Sequence, residues 1–165
     1  MRIIVDAMSG DNAPLEILRG VFAADSEYNA NFILVGDREI SAALAAAEEA
    51  ANAGVDALIV ADLGIASAIH RTFPTLELHA STQASSHNSL SAEVLREIGF
   101  SRIVVARETP AADLFETVKN SPLEIEMFIH GAHCVSYSGQ CMLSYAMGGR
   151  SGNRGECAQP CRLPY

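Results

Sequence analysis

Four cysteines lie close together near the end of this sequence, and their thiolates could bind a metal. Cys134, Cys141, Cys157 and Cys161 all fall in the last fifth of the 165 residues. The chain starts with MRIIVDAM, which does not resemble a signal peptide, so we expect a cytoplasmic protein. In a reducing compartment, clustered cysteines are more often metal ligands or catalytic groups than disulfides. The alternative is a set of small buried hydrophobic side chains, which suits a lone cysteine better than two close pairs.

Ligand type and spacing favour an iron–sulfur cluster at these cysteines, with zinc as the alternative. Soft thiolates suit zinc and iron–sulfur sites better than magnesium or calcium sites. Paired zinc ligands usually stand two to four residues apart. The Cys157–Cys161 pair fits that spacing, but six residues separate Cys134 from Cys141. Four cysteine thiolates are also the usual ligand set of an iron–sulfur cluster.

The charge of the chain is acidic overall but basic near the cysteines. The formal net charge is -9, which excludes a bulk attraction to nucleic acid or to an anionic membrane. After Lys119, the basic residues Arg150, Arg154 and Arg162 lie around the cysteines. They could form a local site for phosphate or carboxylate, or they could simply be solvated. No apolar run is long enough to span a bilayer, so no membrane partner is expected.

Short apolar runs alternate with helical patterns, which predicts a parallel α/β fold. Strands are predicted at Arg2–Asp6, Phe32–Gly36, Ala57–Asp62, Leu76–Ala80, Arg102–Arg107 and Ile125–His130, and helices at Pro14–Ala24, Ser41–Ala53, Ser67–Thr72, Ser89–Ile98 and Pro110–Lys119. The strands are nearly all apolar, so we expect both faces of the sheet to be buried. Periodicity alone does not distinguish an open doubly wound sheet from part of a barrel.

Polar residues follow several of these strands directly. They are Asp6, Asp62, His79 to Gln83, Arg107 with Glu108, and His130 with Gly131. Because ligands of parallel α/β folds bind beyond the carboxyl ends of the strands, we expect these side chains to converge on one rim. Asp62 and Ser81 could instead be helix caps. The cysteine segment begins just after the last strand, at the same rim.

From about residue 48 onward, the chain resembles the collagenase-like peptidases, the unassigned-type peptidase family 32. The matching stretches are Ala53–Gly64, Leu78–Gln83, Ala106–Glu108, Glu126–Ser144 and Gly149–Arg162. The last two carry the cysteines and resemble the two cysteine motifs of that family. His133 departs from the pattern, which prefers an aliphatic residue there. The resemblance implies a partial (β/α) barrel-like domain that ends in a four-cysteine segment, residues 133–165.

The resemblance also implies site residues, cofactors and partners. Some members bind an iron–sulfur cluster and take part in hydroxylating RNA bases or quinone precursors. The four cysteines would then hold a four-iron cluster, and RNA or a small aromatic or anionic molecule would be the substrate. The implied catalytic residues are His79, Gln83, Arg107, Glu108 and His130, and the implied substrate-binding residues are Asn153, Arg154 and Arg162.

The first 40 or so residues resemble another family, the phosphate acyltransferases of phospholipid synthesis. The resemblance rests on Val5–Pro14 and on Ile33–Asp37, with Ser9 where that family has glycine. It predicts an acyltransferase-like β–α–β segment over residues 1–46 and a peptidase-family domain over residues 47–165. A fusion of two sequences, or a fragment, would explain this division.

Two other functions stay open from the sequence. The family was first classed as peptidases, and His130 and His133 lie near Cys134, so a thiolate nucleophile acting on a peptide is the first alternative. The second is an inactive metal-binding or acyltransferase-like fragment. Because a partial parallel sheet leaves open edges, that fragment would be expected to self-associate.

Overall fold

A computed structural model of the chain describes residues 2–6, 31–35, 38–131 and 133–164. Within these ranges the strands are β1 (Arg2–Asp6), β2 (Asn31–Val35), β3 (Ala57–Val60), β4 (Glu77–Ala80), β5 (Arg102–Val104) and β6 (Glu124–Glu126). The helices are α1 (Arg38–Asn52), α2 (Leu63–Thr72), α3 (Ser89–Ile98), α4 (Ala111–Asn120) and α5 (Leu143–Gly148). The helix predicted at Pro14–Ala24 lies outside the described residues.

The strands form two parallel sheets, which confirms the predicted parallel α/β fold. Strand β1 pairs with β2, and Arg2 stands opposite Asn31. The larger sheet has the order β3-β4-β5-β6, and helices α2, α3 and α4 connect its successive strands. The assignment of this sheet to part of a barrel stays a prediction, as does association through its edges. No helix of the described ranges is long and apolar enough to cross a membrane.

Local signals in the sequence set the helix ends. The Asp62 carboxylate accepts a hydrogen bond from the Ile65 amide at 2.9 Å and so caps α2. Asn88 and Ser91 form a reciprocal capping box at the start of α3. Gly99 ends α3 with a φ of 114°, a conformation that glycine adopts without strain. The alternative role of Asp62 as a helix cap is therefore confirmed.

The core lies between the helices and one face of the larger sheet. Leu78, Ala80 and Ile103 point into it and are fully buried, together with Leu44 of α1 and Ala92 of α3. The parallel strands end at one edge of the sheet. The two stretches that carry the cysteines, residues 133–141 and 151–162, lie against that edge.

The opposite face of the larger sheet is largely polar and only partly covered over the described residues, with Ile59 exposed and Val104 buried on it, so the expectation that both faces are buried is wrong for this sheet. Glu77 and His79 alternate with Leu78 and Ala80 along β4, and Glu124 and Glu126 flank the apolar Ile125. Arg102 donates to the carboxylate of Glu124 at 2.6 Å on this face. The alternation has the two-residue period of a sheet covered on one side.

Strands β5 and β6 end well before their predicted last residues, and β3 and β4 are shorter than predicted by two residues and one residue. Strand β5 was expected to reach Arg107 but ends at Val104. The Ala106 amide bonds to the carbonyl of Ser86, and the Arg107 amide bonds to the Ser138 hydroxyl. Strand β6 ends at Glu126, and His130 lies in an exposed loop beyond it.

Candidate functional site

All four cysteines line one cavity of about 500 Å³ at the carboxyl ends of β4 and β5. They are free thiols; Cys141 is half-buried and the other three are exposed. Over residues 38–131 and 133–164, no group of three or more His, Cys, Asp or Glu side chains is close enough to hold a single metal ion. The four thiols thus share the lining of one cavity.

Two segments of chain carry these cysteines, and the first is anchored by a buried serine. We call them the first cysteine segment (residues 133–141) and the second cysteine segment (residues 151–162). Ser138 is completely buried. Its amide donates to the carboxylate of Glu108 at 3.1 Å, and its hydroxyl donates to the same carboxylate at 2.9 Å. Glu108 and Arg107, just beyond β5, thus hold the middle of the first cysteine segment.

The next residue, Gly139, is held by Gln83, which follows β4. The Gly139 amide donates to Gln83 Oε1 at 2.7 Å. Gly139 has a φ of +74°, and a Cβ at this position would overlap the backbone carbonyl oxygen of Gln83. Glycine is therefore required here both by its backbone conformation and by the close approach of another backbone.

Side-chain hydrogen bonds then join the two cysteine segments and brace the second. Gln83 Nε2 donates to the Gly152 carbonyl at 3.3 Å, and Asn153 Nδ2 donates to the Gly139 carbonyl at 2.9 Å. Arg162 donates to the His133 carbonyl at 2.8 Å. The buried Ser144 of α5 accepts from the Ala158 amide at 2.9 Å and so fixes the stretch between Cys157 and Cys161.

Nearby hydrogen-bond donors stabilise the thiolate form of Cys141. The backbone amide of Leu143 has the largest effect, and the Ser136 hydroxyl and the Ser144 amide add to it, so that together they hold the pKa of Cys141 below its ordinary value in spite of burial. The sulfur of Cys157 also accepts a hydrogen bond, from the Gln159 amide at 3.3 Å. The thiolate is the form in which a cysteine acts as a nucleophile or as a ligand.

We expect Cys141 to react as a thiolate at lower pH than an ordinary cysteine. In metal-free protein with the other three cysteines changed to serine, the rate of alkylation by iodoacetamide should report its ionisation. Ser136→Ala removes one donor, so the inflection of the pH–rate curve should move to higher pH. Ser151→Ala is the matched control, since Ser151 is not among the residues that lower this pKa. An inflection unchanged by Ser136→Ala would contradict the assignment.

The carboxylate of Glu108 is also held in its charged form. Burial raises its pKa, but hydrogen bonds from its own amide and from Ser138, together with the charge of Arg107, outweigh that effect and leave the pKa below its ordinary value. Glu108 therefore accepts hydrogen bonds as an anion at neutral pH. These contacts make it an anchor of the first cysteine segment, and the catalytic role predicted for it stays a prediction.

Arg107 lies between the cysteine cavity and a smaller one of about 200 Å³, whose lining includes His130, His133 and Cys134. Its guanidinium donates to the Ser136 carbonyl at 3.4 Å, and its Nε is buried with no hydrogen-bond partner among the described residues. The structure thus brings Arg107 and His130 together beside a cysteine, although it does not test their roles.

The lining of the cysteine cavity lacks four of the predicted site residues: Glu108 and His130, which line neighbouring cavities, and His79 and Arg154. His79 stands on the polar face of the sheet, 3.5 Å from the carboxylate of Glu77. Arg154 forms an exposed ion pair with Glu39 at 3.1 Å and lines a neighbouring cavity of about 680 Å³. Gln83, Asn153 and Arg162 do line the cysteine cavity, and their predicted roles stay predictions.

Sequence reasoning missed Ser136, Ser138, Gly139 and Ser144 as functional residues. The pair Ser138-Gly139, which lies between two cysteines, could have indicated that another backbone packs here. Glycine is common where two backbones approach closely. Ser136 and Ser144 carry no comparable signal, since a buried or half-buried serine looks like any other serine in a sequence.

Comparison with known proteins gives the chain a family. The model of peptidase family U32 matches residues 25–165. The chain is 45% identical to the 23S rRNA 5-hydroxycytidine C2501 synthase of Escherichia coli (strain K12), over 80% of this chain and 20% of that protein. It is 45% identical to the tRNA hydroxylation protein P1 of Bacillus subtilis (strain 168), over 69% of this chain and 27% of that protein. It is also 33% identical to a collagenase of Porphyromonas gingivalis (strain ATCC BAA-308 / W83), over 80% of this chain and 34% of that protein.

The chain spans only 20% to 34% of the length of these three curated relatives. The family match begins at residue 25, inside the segment predicted to resemble an acyltransferase. The predicted division at residue 46 itself stays a prediction. With the match covering most of its length, the chain belongs to peptidase family U32.

Proposed function

We propose that this chain is part of an iron–sulfur-dependent enzyme that hydroxylates a base of ribosomal or transfer RNA. The observation that carries the proposal is that all four cysteines line one cavity. Relatives named for rRNA and tRNA hydroxylation, each 45% identical to the chain, supply the reaction class. When bound, the cluster would supply electron transfer to this cavity.

The donor set fits a four-iron cluster better than a single zinc ion. Zinc holds each thiolate about 2.3 Å away, so all of its ligands must converge on one point. The six residues between Cys134 and Cys141 exceed the two to four that usually separate paired zinc ligands. In a four-iron cluster each iron takes a different thiolate, and the thiolates can stand around a wider space. Cys134, Cys141, Cys157 and Cys161 would be the ligands.

The charges around the cavity also suit an anionic cluster and an anionic substrate. Its lining includes the cations Arg107 and Arg162 and, among the described residues, no carboxylate. The two guanidinium groups would offset the charge of four thiolates. They would also attract the phosphates of RNA locally, which is needed on a chain with a net charge of -9.

Tyr137 is suited to holding a base at the edge of the cavity. Its side chain lines the cavity and is 71% exposed. An exposed aromatic ring can stack on an unpaired base, a contact worth about 1–3 kcal/mol. Asn153 and Arg162 also line the cavity and carry donors that could bond to the edge of the base.

The test is metal and sulfide analysis of the chain after anaerobic purification. We expect about four irons and four sulfides per chain, as in a [4Fe–4S] protein. Cys157→Ser should remove most of this iron, whereas Met147→Leu should not, since Met147 is exposed and does not line the cavity. Protein that carries zinc and no iron would overturn the cluster.

Activity needs a separate measurement. RNA from cells that lack their own family members should gain a hydroxylated pyrimidine, seen by mass spectrometry of its nucleosides, when this chain is expressed. Tyr137→Ala should reduce the modified fraction about tenfold or more, because one stacking contact is lost, and Tyr137→Phe should retain it. Full iron loading with no modified base would reject RNA hydroxylation by this chain and leave the cluster in place.

A peptidase is the second candidate, and the lining of one small cavity favours it. Cys134, His130 and His133 line the same small cavity, so a histidine could activate the Cys134 thiol. One relative carries the name collagenase. Gelatin cleavage by metal-free protein that is lost in Cys134→Ala would support this function over the first.

A further inference from the structure

We propose that Gln83 is a positioning residue that fixes the distance between the first and second cysteine segments. Its side chain forms a hydrogen bond to each of the two segments at the edge of the sheet. The proposed cluster depends on this distance, so the consequence for the cluster rests on the proposed function. The bridge itself is formed by protein atoms alone.

Gln83 is itself held firmly. It lies in a short 3-10 turn, Thr82–Ala84, directly after β4. The Ser81 hydroxyl accepts a hydrogen bond from the Gln83 amide at 3.1 Å, and Thr82 is buried. The turn follows directly on a strand of the core, so the backbone of Gln83 is held in place by the core.

The two bonds of the Gln83 side chain run to different segments. Oε1 accepts from the Gly139 amide, two residues before Cys141. Nε2 donates to the Gly152 carbonyl in the second segment. A Cβ built on Gly152 would lie 3.6 Å from the Cβ of Cys157 and 4.0 Å from its sulfur. Gln83 therefore sets the place of a residue near Cys141 and of one that packs on Cys157.

Asn153 closes the arrangement into a ring of contacts. The Asn153 side-chain Nδ2 donates to the carbonyl of Gly139. The backbone N–H of Gly139 in turn donates to Gln83. Both backbone groups of Gly139 thus contact the junction formed by Gln83 and residues 152–153. A displacement of either cysteine segment would break at least two of these three hydrogen bonds.

The chemistry of the bridge requires an amide side chain. Gln83 acts as an acceptor on one side and as a donor on the other, and a carboxamide supplies both groups at once. Glutamate would keep the acceptor for Gly139 but would place a second oxygen against the Gly152 carbonyl. Methionine, of similar size, lacks both groups. These two substitutions separate the two halves of the bridge.

Hydrogen–deuterium exchange of the metal-free chain tests the bridge. Gln83→Met should speed exchange roughly tenfold in peptides covering residues 136–141 and 151–157, since hydrogen bonds to both segments are lost. Gln83→Glu should speed exchange in the second segment alone. Gln140→Met is the matched control, because Gln140 is an exposed glutamine in the first segment that does not line the cavity.

The iron-loaded chain gives the second readout. With Gln83→Met we expect at least a twofold loss of iron per chain and a changed electron paramagnetic resonance spectrum of the reduced protein, at unchanged far-ultraviolet circular dichroism. Exchange at the wild-type rate in both segments of both Gln83 variants would overturn the proposal. Suppose that Gln83→Met speeds exchange in both segments and Gln83→Glu in the second segment alone, in protein that takes up no iron. That result would support the bridge and reject the cluster. If Gln83→Met fails to fold, the Gln83→Glu exchange pattern decides alone.

Discussion

Gly139→Ala is expected to release the first cysteine segment from the edge of the sheet and to remove most of the iron of the proposed cluster. Alanine at a φ of +74° is strained by about 1 kcal/mol. The added Cβ also overlaps the backbone carbonyl of Gln83, which belongs to a rigid turn and cannot rotate away as a side chain would. We expect a total loss of about 3 kcal/mol or more in the stability of this segment.

Gly149→Ala provides a matched control for this change. Gly149 has a φ of +71°, close to that of Gly139, but a Cβ there would meet no atom within 4 Å. Its substitution should cost only the backbone strain, about 1 kcal/mol. Urea unfolding, hydrogen exchange of residues 136–141 and iron content would be measured for both variants. Equal losses in the two proteins would show that contact with Gln83 does not decide the effect.

Much of the fold could be predicted because its signals are local. Helix α3 was predicted at Ser89–Ile98 and has those bounds, since the Asn88–Ser91 capping box and Gly99 mark its two ends. Strand β1 likewise has its predicted bounds, Arg2–Asp6. Short runs of apolar residues between helical patterns were enough to place the other strands to within a few residues.

The end of β5 could not be predicted, because it depends on contacts with residues far away in the sequence. Arg107 and Glu108 leave the strand direction to bind Ser138, thirty or so residues later. An apolar run such as Ile103–Ala106 reads as strand whether or not a partner strand continues beside it. The sequence also did not show that the second face of the larger sheet is largely polar. Polar residues of β4 and β6 do alternate with apolar ones, but these strands are too short for the alternation to stand out in the sequence.

The candidate site was predicted as a set of residues but not as an arrangement. Spacing indicated the four cysteines, and the strand ends indicated Gln83 and Arg107. The bonds that join them, Gln83 to Gly139 and Asn153 to Gly139, link residues far apart in the chain and leave no mark in composition or periodicity. His79 was included on its position in the sequence, but the alternation of β4 turns it to the polar face of the sheet.

Glu108→Ala is expected to destabilise the first cysteine segment by about 3 kcal/mol, because it leaves two buried donors of Ser138 without an acceptor. Ser138 is completely buried, so its two donors would be left to whatever water enters the space of the deleted side chain from the neighbouring cavity that Glu108 lines. Glu116→Ala is the control, since Glu116 is an exposed carboxylate on α4 whose bond to Asn120 is local. Hydrogen exchange of residues 136–141 at neutral pH would measure both effects.

The same carboxylate makes the anchoring of this segment depend on pH. The pKa of Glu108 is lower in the folded chain than its ordinary value, so the folded state binds the proton less readily than the unfolded state. The stability that ionised Glu108 adds to the folded state is therefore fully present above the ordinary carboxyl pKa of about 4.3. It is lost as the pH falls through the lower pKa that Glu108 has in the folded chain. Glu108→Gln, which cannot ionise, should be less stable than wild type at pH 7, and the difference should shrink on acidification. If the two proteins lost stability in parallel down to low pH, the charge of Glu108 would not be what holds Ser138.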